Sequence, residues 1–200
     1  MRYFIFILSS LLLSGCAFKN NTPAIDTYTL TNNKVGMMEI KNKKFSDKTL
    51  KIEKPTSTRD IQSTRILYGK KSFERDAYAY GKWSDTPNIM LQNNFVYALG
   101  ESKLFKAVLL KRSYAEADYI LECNLDEFYH AFVTPESSVG IIMLEAHLID
   151  AQQKKVIASK RFLITSDATS QDSKGGVEAL NNATNVLTGE LIAWLKSISR

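Results

Sequence analysis

The sequence predicts an α+β fold, with a single mixed or antiparallel sheet and two main helices packed on one of its faces. Several short segments alternate apolar and polar residues, which is typical of strands. Two longer segments repeat apolar residues every three or four positions, which is typical of helices. In chain order these are strands, a helix, four strands and a second helix. Helices that follow runs of strands favour the α+β class.

The part of the chain before the first helix is predicted to form short strands. The folded domain begins at Tyr28-Thr29-Leu30, and residues 49–55 alternate until Pro55 ends that strand. Residues 64–68 and 76–83 are the next predicted strands, and the second of them is rich in aromatic side chains.

A turn at residues 84–87 leads into the first predicted helix. Asp85 or Thr86 can cap this helix, and Pro87 suits its first position because an amide hydrogen there would have no partner within the helix. The apolar residues that follow recur at helical spacing and predict an amphipathic helix of about four turns. They are Met90, Leu91, Phe95, Ala98 and Leu99.

The second half of the chain is predicted to hold four strands and the final helix. Residues 105–110 and 118–125 are strands, and residues 140–150 and 156–165 form a hairpin around a mostly polar turn. The final helix starts at Gly175-Gly176 and carries a continuous stripe of apolar residues and one threonine. The stripe consists of Val177, Leu180, Thr184, Leu187, Leu191, Trp194, Leu195 and Ile198.

The N-terminus has the features of an export signal. Residues 4–13 are mostly apolar, and Arg2 is the only charged residue before Cys16. This segment suits a secretory signal and is too short to span a bilayer as a helix, which needs about 20 residues. The sequence Leu13-Ser14-Gly15-Cys16 that follows resembles the lipobox of bacterial lipoproteins. In such proteins the cysteine receives a diacylglycerol, the chain is cut before it, and the new amine is acylated.

The resemblance to lipoproteins sets the domain boundaries and the location. It implies a signal peptide at residues 1–15, a lipidated tether at residues 16–26 with Cys16 as the lipidation site, and one domain at residues 27–200. Several acyl chains on one cysteine give stable membrane anchoring, whereas a single chain does not. Ala17 follows Cys16, at a position where lipoproteins kept in the inner membrane often carry aspartate. This favours the outer membrane, with the domain facing the periplasm.

The composition argues against nucleic-acid binding. The formal net charge of the chain is +5, and removal of Arg2 with the signal peptide lowers it by one. The lysines are scattered, without the basic stripe that nucleic-acid-binding domains present.

Few side chains suggest catalysis. Cys123 lies on the apolar face of a predicted strand and is expected to be an inert core residue. His130 is expected to be partly packed at an aromatic strand end and His147 to face solvent, and their unpatterned spacing is not that of a metal site. Asp126 and Glu127 are neighbours on a strand and are expected on opposite faces. We therefore predict no catalytic, metal-binding or cofactor-binding residue, no cofactor and no enzymatic activity.

Motifs along the chain follow one another in an order that resembles a known family. They are Tyr28-Thr29-Leu30, Ile66-Leu67-Tyr68, the element with Tyr80, Trp83 and Pro87, Leu104-Phe105, Ala117-Asp118-Tyr119-Ile120-Leu121, Leu148-Ile149-Asp150 and Ala193-Trp194-Leu195. On a chain with a lipobox, this order resembles the ABC-type transport auxiliary lipoproteins, also called the paraquat-inducible protein C lipoproteins. The resemblance covers roughly residues 28–195.

The resemblance implies partners and a role. Such lipoproteins accompany an inner-membrane ABC transporter and a periplasmic protein with the mammalian-cell-entry domain, in systems that move phospholipid or other hydrophobic molecules between the two membranes. It implies that this protein is a docking or receiving component at the outer membrane. Tyr80, Trp83 and Pro87 are candidate structural or partner-contact residues. A core position and a partner surface are both open for Trp83, and core packing is the favoured interpretation.

Two further points stay open at this stage. The alternative function is that of a structural lipoprotein that helps to assemble an outer-membrane protein. Formation of a homo-oligomer is also open, and so are the transported molecule and the direction of transport.

Overall fold

The computed structural model describes residues 23–31, 44–71 and 73–198. The predicted signal peptide, Cys16 and most of the predicted tether lie outside these ranges. Within them the chain forms nine strands and two helices, in the predicted order of strands, helix, four strands and helix. The elements are β1 (Asp26–Tyr28), β2 (Thr49–Ile52), β3 (Thr56–Ser57), β4 (Arg65–Gly69), β5 (Asp76–Trp83), α1 (Pro87–Glu101), β6 (Ala107–Leu110), β7 (Tyr119–Phe132), β8 (Ser138–Asp150), β9 (Lys155–Asp167) and α2 (Ser173–Ile198).

The strands form one mixed sheet built around the long strand β7, which confirms the predicted α+β class. One edge of β7 pairs antiparallel with β8, and β8 pairs antiparallel with β9. Along its other edge, β2, β3 and β4 follow one another, and all three run parallel to β7. β6 lies beyond β2 and runs parallel to it. β5 lies antiparallel beyond β4, and β1 runs parallel beyond β5.

Both helices pack on one face of this sheet. α2 lies across β7, β8 and β9, and α1 contacts β2 and β6. The predicted apolar residues of α1 are all buried. In the α2 stripe, Trp194 and Ile198 are partly exposed and the other members are buried. The helices also meet through a buried hydrogen bond, in which the Thr188 hydroxyl donates to Asn94 Oδ1 at 2.9 Å.

The α2 helix begins at Ser173, two residues before the predicted start. The Asp172 carboxylate accepts a hydrogen bond from the Gly175 amide at 2.9 Å, which satisfies a donor that the first turn would otherwise leave free. A Cβ at Gly176 would lie 2.6 Å from His130 Nδ1, so the close approach of the helix to β7 requires glycine there. Gly140 is under the same constraint, because its Cβ would lie 2.8 Å from the backbone of Ala179.

The sequence misplaces some boundaries. It misses β3, which has only two residues and is held by parallel pairing with Asn124 and Leu125. β7 continues to Phe132, seven residues beyond the predicted end, because it pairs along its whole length with β8. None of the helices in the described part of the chain is sufficiently long and apolar to span a bilayer.

Candidate functional site

The element with Tyr80, Trp83 and Pro87 is divided between the core and the surface. Trp83 is buried, and its ring lies edge-on to the ring of Phe128 on β7, with centroids 5.7 Å apart. Pro87 is buried at the first position of α1, after Thr86 at the N-cap. Tyr80 is 51% exposed. The structure therefore places Trp83 and Pro87 among core residues, and only Tyr80 of the three is available to a partner.

Two backbone hydrogen bonds hold the end of β5 that leads into α1. The Trp83 amide donates to the Thr64 carbonyl at 2.7 Å, and the Ser84 amide donates to the Tyr28 carbonyl at 2.6 Å. Trp83 is thus fixed between β4 and β1, where its ring fills the space between the sheet and the helices.

Cys16, the predicted lipidation site, lies outside the described residues. Cys123 is buried on β7, and burial raises the pKa of its thiol to about 12. The thiolate is the nucleophilic form of cysteine, so a buried thiol with a raised pKa is unreactive at neutral pH. Cys123 has the position in the core that the sequence predicts.

His130 is fully buried beside the start of α2. Its Nδ1 shares a hydrogen bond of 2.7 Å with the Tyr78 hydroxyl, while its Nε2 has no hydrogen-bond partner among the described residues. Burial lowers the pKa of His130, and the nearby negative charge of Asp172 opposes this effect. Burial also raises the pKa of Tyr78. At neutral pH the pair therefore consists of a neutral imidazole and a neutral phenol. Their hydrogen bond joins β5 to β7 inside the domain.

His147 lies far from this pair along the sheet. Its Nδ1 is 2.7 Å from the Ser159 hydroxyl on the neighbouring strand β9, in an exposed hydrogen bond. In the described ranges, no group of three or more His, Cys, Asp and Glu side chains is placed to hold a metal ion.

The expectation that Asp126 and Glu127 lie on opposite faces is wrong. The register of β7 against β8 shifts between Leu125 and Glu127, so Asp126 is the extra residue of a β-bulge. The bulge brings both carboxylates to the wall of one cavity of about 240 Å³, which Arg75 also lines. Arg75 Nη2 donates to Glu127 Oε2 at 2.9 Å, and its guanidinium lies 3.5 Å from the centre of the Tyr129 ring.

A groove lies between α1 and the ends of two strands of the sheet. It has a volume of about 420 Å³, and we call it the α1 groove. It is lined by Glu53, Lys54, Ile89, Gln92, Asn93, Leu110, Lys111 and Arg112. A neighbouring cavity of about 360 Å³ shares Glu53, Lys54 and Lys111 with it.

The groove forms because β2 and β6 end side by side beneath α1. Ile52 and Leu110 are paired at the ends of these strands. The charged residues that follow both strands therefore emerge together. The Gln92 side chain donates to the Ile52 carbonyl at 2.9 Å and holds α1 above the strand ends.

The α1 groove carries a net positive charge over an apolar wall. Lys111 Nζ lies 2.7 Å from Glu53 Oε1, and its hydrogen bond and ion pair with Glu53 raise the pKa of Lys111. Lys54 and Arg112 add two further positive charges, while Ile89 and Leu110 supply apolar surface. Such a groove suits an anionic group attached to an apolar one.

The sequence analysis did not find the α1 groove. Its lining comes from three segments that are far apart in the chain, at residues 53–54, 89–93 and 110–112. The available signal was that charged residues follow each of two strands directly. Without the pairing of β2 with β6, nothing in the sequence shows that the two sets meet.

Comparisons with known proteins identify the fold. No family model matches the chain, and no curated protein matches it at a significant level. Among solved structures, protein XCC0632 from Xanthomonas campestris, of the DUF330 family, is 23% identical with a TM-score of 0.74. The match covers 86% of this chain and 96% of that one.

Two other solved structures are similar over most of their length. An uncharacterized protein is 11% identical with a TM-score of 0.67, over 86% of this chain and 99% of that one. Lipoprotein GNA1162 from Neisseria meningitidis is more distant, at 11% identity and a TM-score of 0.42, over 75% of this chain and 99% of that one. This chain thus has the fold of the Xanthomonas DUF330 protein across nearly all of that protein's length.

Proposed function

We propose that this protein is an outer-membrane-anchored accessory lipoprotein of an ABC-type lipid transport system that depends on a mammalian-cell-entry protein. Its role is that of a docking or receiving component in the periplasm, without catalytic activity of its own. The observation that carries the proposal is the sequence Leu13-Ser14-Gly15-Cys16 at the end of a short apolar segment. A lipid on Cys16 fixes the protein to a membrane and leaves the domain free to bind a partner.

The fold supports the family resemblance on which the proposal depends. Motif residues occupy positions that organise the domain, because Trp83 on β5 packs against Phe128 on β7 and Pro87 starts α1. Leu121, from another motif, is buried where β2 joins β7. The same fold occurs in the Xanthomonas DUF330 protein, at an identity too low to carry a function.

The α1 groove supports a docking role. Lys54, Lys111 and Arg112 are opposed by one acidic residue, Glu53, and the apolar wall lies beside them. By charge complementarity, we propose that an acidic segment with aliphatic side chains, from the mammalian-cell-entry partner, binds there.

The test is affinity purification of the full-length, lipidated protein from detergent-solubilised envelopes, followed by identification of bound proteins. The expected result is recovery of a mammalian-cell-entry protein and its transporter. The Lys54→Glu, Arg112→Glu double variant should lower that recovery, because it reverses two charges of the groove. A Lys82→Glu, Lys155→Glu double variant makes the same charge change at exposed sites away from the groove and should retain the partner.

Other outcomes contradict the proposal in distinct ways. Recovery of an outer-membrane β-barrel instead would favour the assembly function. Recovery of neither class of partner would reject the transport role. Equal loss in both double variants would keep the transport role and reject the groove as the docking site.

A further inference from the structure

The direction of β1 shows from which end of the sheet the N-terminal tether arrives. β1 runs parallel to β5, with Asp26 beside Gly81. β5 runs antiparallel to β4, and β4 runs parallel to β7 with Gly69 beside Ala131. The chain therefore enters β1 from the end of the sheet where β7 finishes and β8 begins. We call this the anchor end.

The length of the tether limits where the lipid can be. Pro23 is the first described residue, and seven residue steps separate it from Cys16. Fully extended, they span at most about 25 Å. β7, with 14 residues, extends for about 45 Å, so a lipid on Cys16 cannot reach past the opposite end of the sheet.

Four exposed apolar side chains lie at the anchor end or along the edge where the tether enters, while others, Tyr114 and Val156 among them, are exposed elsewhere. Phe73 is 81% exposed in the connection between β4 and β5, and Val133 is 63% exposed just after β7. Ile25, directly before β1, and Tyr80, on the neighbouring strand β5, are also exposed. Moving these side chains from water into an apolar layer is favourable in proportion to the apolar area that is buried.

Charged side chains of both signs surround Phe73, because Lys70, Glu74 and Asp76 line one cavity with it. Lys70 and Lys71 follow β4 directly, and Lys71 Nζ lies 5.7 Å from the centre of the Phe73 ring. Lys71 also pairs with Glu74 at 2.9 Å, while Lys70 makes no ion pair among the described residues. An aromatic ring with a lysine ammonium group beside it suits the boundary between lipid headgroups and acyl chains, where the ring enters the apolar layer and the ammonium group meets phosphates.

We propose that the anchor end, through Ile25, Phe73, Tyr80 and Val133, lies against the phospholipid surface of the membrane that holds Cys16. This inference depends on the lipidation of Cys16 in the proposed function. It also sets the direction of the rest of the domain. Ile52 pairs with Leu121 near the start of β7, so the α1 groove lies toward the opposite end and faces the periplasm.

The experiment measures which end of the lipidated protein touches lipid. Full-length protein with Cys123→Ala is reconstituted in vesicles of phosphatidylethanolamine and phosphatidylglycerol with brominated acyl chains. A polarity-sensitive fluorophore is attached at Phe73→Cys, at Val133→Cys or at Val156→Cys. Val156 is the matched control, because it is 59% exposed and lies at the opposite end, at the start of β9.

The expected result is that the brominated chains quench the labels at positions 73 and 133 several-fold more than the label at position 156. Equal quenching at all three positions, or stronger quenching at position 156, would overturn the inference. All three positions are exposed, so the variants should fold, and their melting curves by circular dichroism check this.

Incorporation of labelled fatty acid into the same proteins separates this inference from the proposed function. If fatty acid enters and the quenching does not differ between the two ends, the orientation is wrong and the anchored lipoprotein stands. If no fatty acid is incorporated into the protein, both the inferred orientation and the proposed lipid anchor are wrong.

Discussion

Trp83 on β5 packs edge-on against Phe128 on β7, with ring centroids 5.7 Å apart and ring planes at 60°. β4 lies between these two strands in the sheet. The two rings thus join the part of the sheet that carries β1 to the central strand β7. The pair holds the junction from which the chain enters α1.

We expect Trp83→Ala to lower the free energy of unfolding by about 3–5 kcal/mol, because it removes a large buried ring and leaves a cavity against Phe128. Urea unfolding of the unlipidated Cys16→Ser protein measures this change. Tyr80→Ala is the control from the same strand, and its exposed ring should cost less than about 1 kcal/mol. If the two substitutions lowered the free energy of unfolding equally, the buried Trp83 ring would contribute no more to stability than the exposed Tyr80 ring, and the packing described above would be contradicted.

Leu191 and Trp194 both belong to the α2 stripe, but Leu191 is fully buried and Trp194 is only partly buried. Leu191→Ala should cost about 2–5 kcal/mol because its side chain is fully buried. Trp194 is partly exposed and meets Phe162 edge-on at 6.1 Å, so Trp194→Ala should cost only about 1–2 kcal/mol. Urea unfolding of both variants checks the order, and a larger loss for Trp194→Ala would mean that its ring is more central to the core than its exposure indicates.

The buried His130 makes stability depend on pH. Burial lowers its pKa in the folded protein, so below its ordinary pKa of about 6.5 the unfolded chain binds the proton more readily. Above that pKa, His130 is neutral in both the folded and the unfolded protein, so its contribution to the free energy of unfolding does not change with pH. The free energy of unfolding therefore falls as the pH drops from the ordinary pKa toward the lowered folded-state pKa.

His130→Gln removes this titration, so we expect a smaller loss of stability than in the wild type between about pH 7.5 and 5.5. Urea midpoints at the two pH values provide the comparison. Tyr78→Phe deletes the hydroxyl that bonds Nδ1 but keeps the histidine, and it should retain an acid-dependent loss. The same pH dependence in His130→Gln and the wild type would assign the effect to other groups.

Cys16→Ser should leave an uncleaved precursor without lipid, because serine has no thiol to form the thioether with diacylglycerol. Labelled fatty acid should enter the wild type and not this variant. Cys123→Ala serves as the control, since the buried Cys123 should not affect labelling. Equal labelling of Cys16→Ser and wild type would reject Cys16 as the lipidation site.

Ala17→Asp tests the predicted location separately from lipidation. If the residue after Cys16 directs sorting, aspartate should move the protein from the outer-membrane to the inner-membrane fraction. Ala17→Ser keeps a small uncharged side chain and should leave the distribution unchanged. Membrane fractionation measures both variants, and an unchanged distribution of Ala17→Asp would mean that sorting does not read this position.

Periodicity was sufficient to predict the helices and most strands. The apolar residues of α1 and the stripe of α2 repeat at the helical spacing, and most of them are buried against the sheet. Pro87 marked the start of α1 because proline is favoured in the first turn of a helix, where its missing amide hydrogen costs no hydrogen bond within the helix. β3 escaped prediction because two residues carry no periodic pattern, and only pairing with β7 makes them a strand.

The sequence by itself predicted a lipidation signal, which stays a prediction, and it determined the order of helices and longer strands and the core position of Cys123, because each depends on residues that are neighbours in the chain. It predicted His130 as only partly packed, whereas the contact between β7 and α2 buries this side chain fully. Only the tertiary structure decided the rest. The β-bulge at Asp126 overrode strand alternation, since the register against β8 shifts there. The α1 groove and the anchor end exist only because strand pairing brings distant segments together. Local sequence patterns predict which face of a helix or strand is buried, but they do not predict which other element packs against that face.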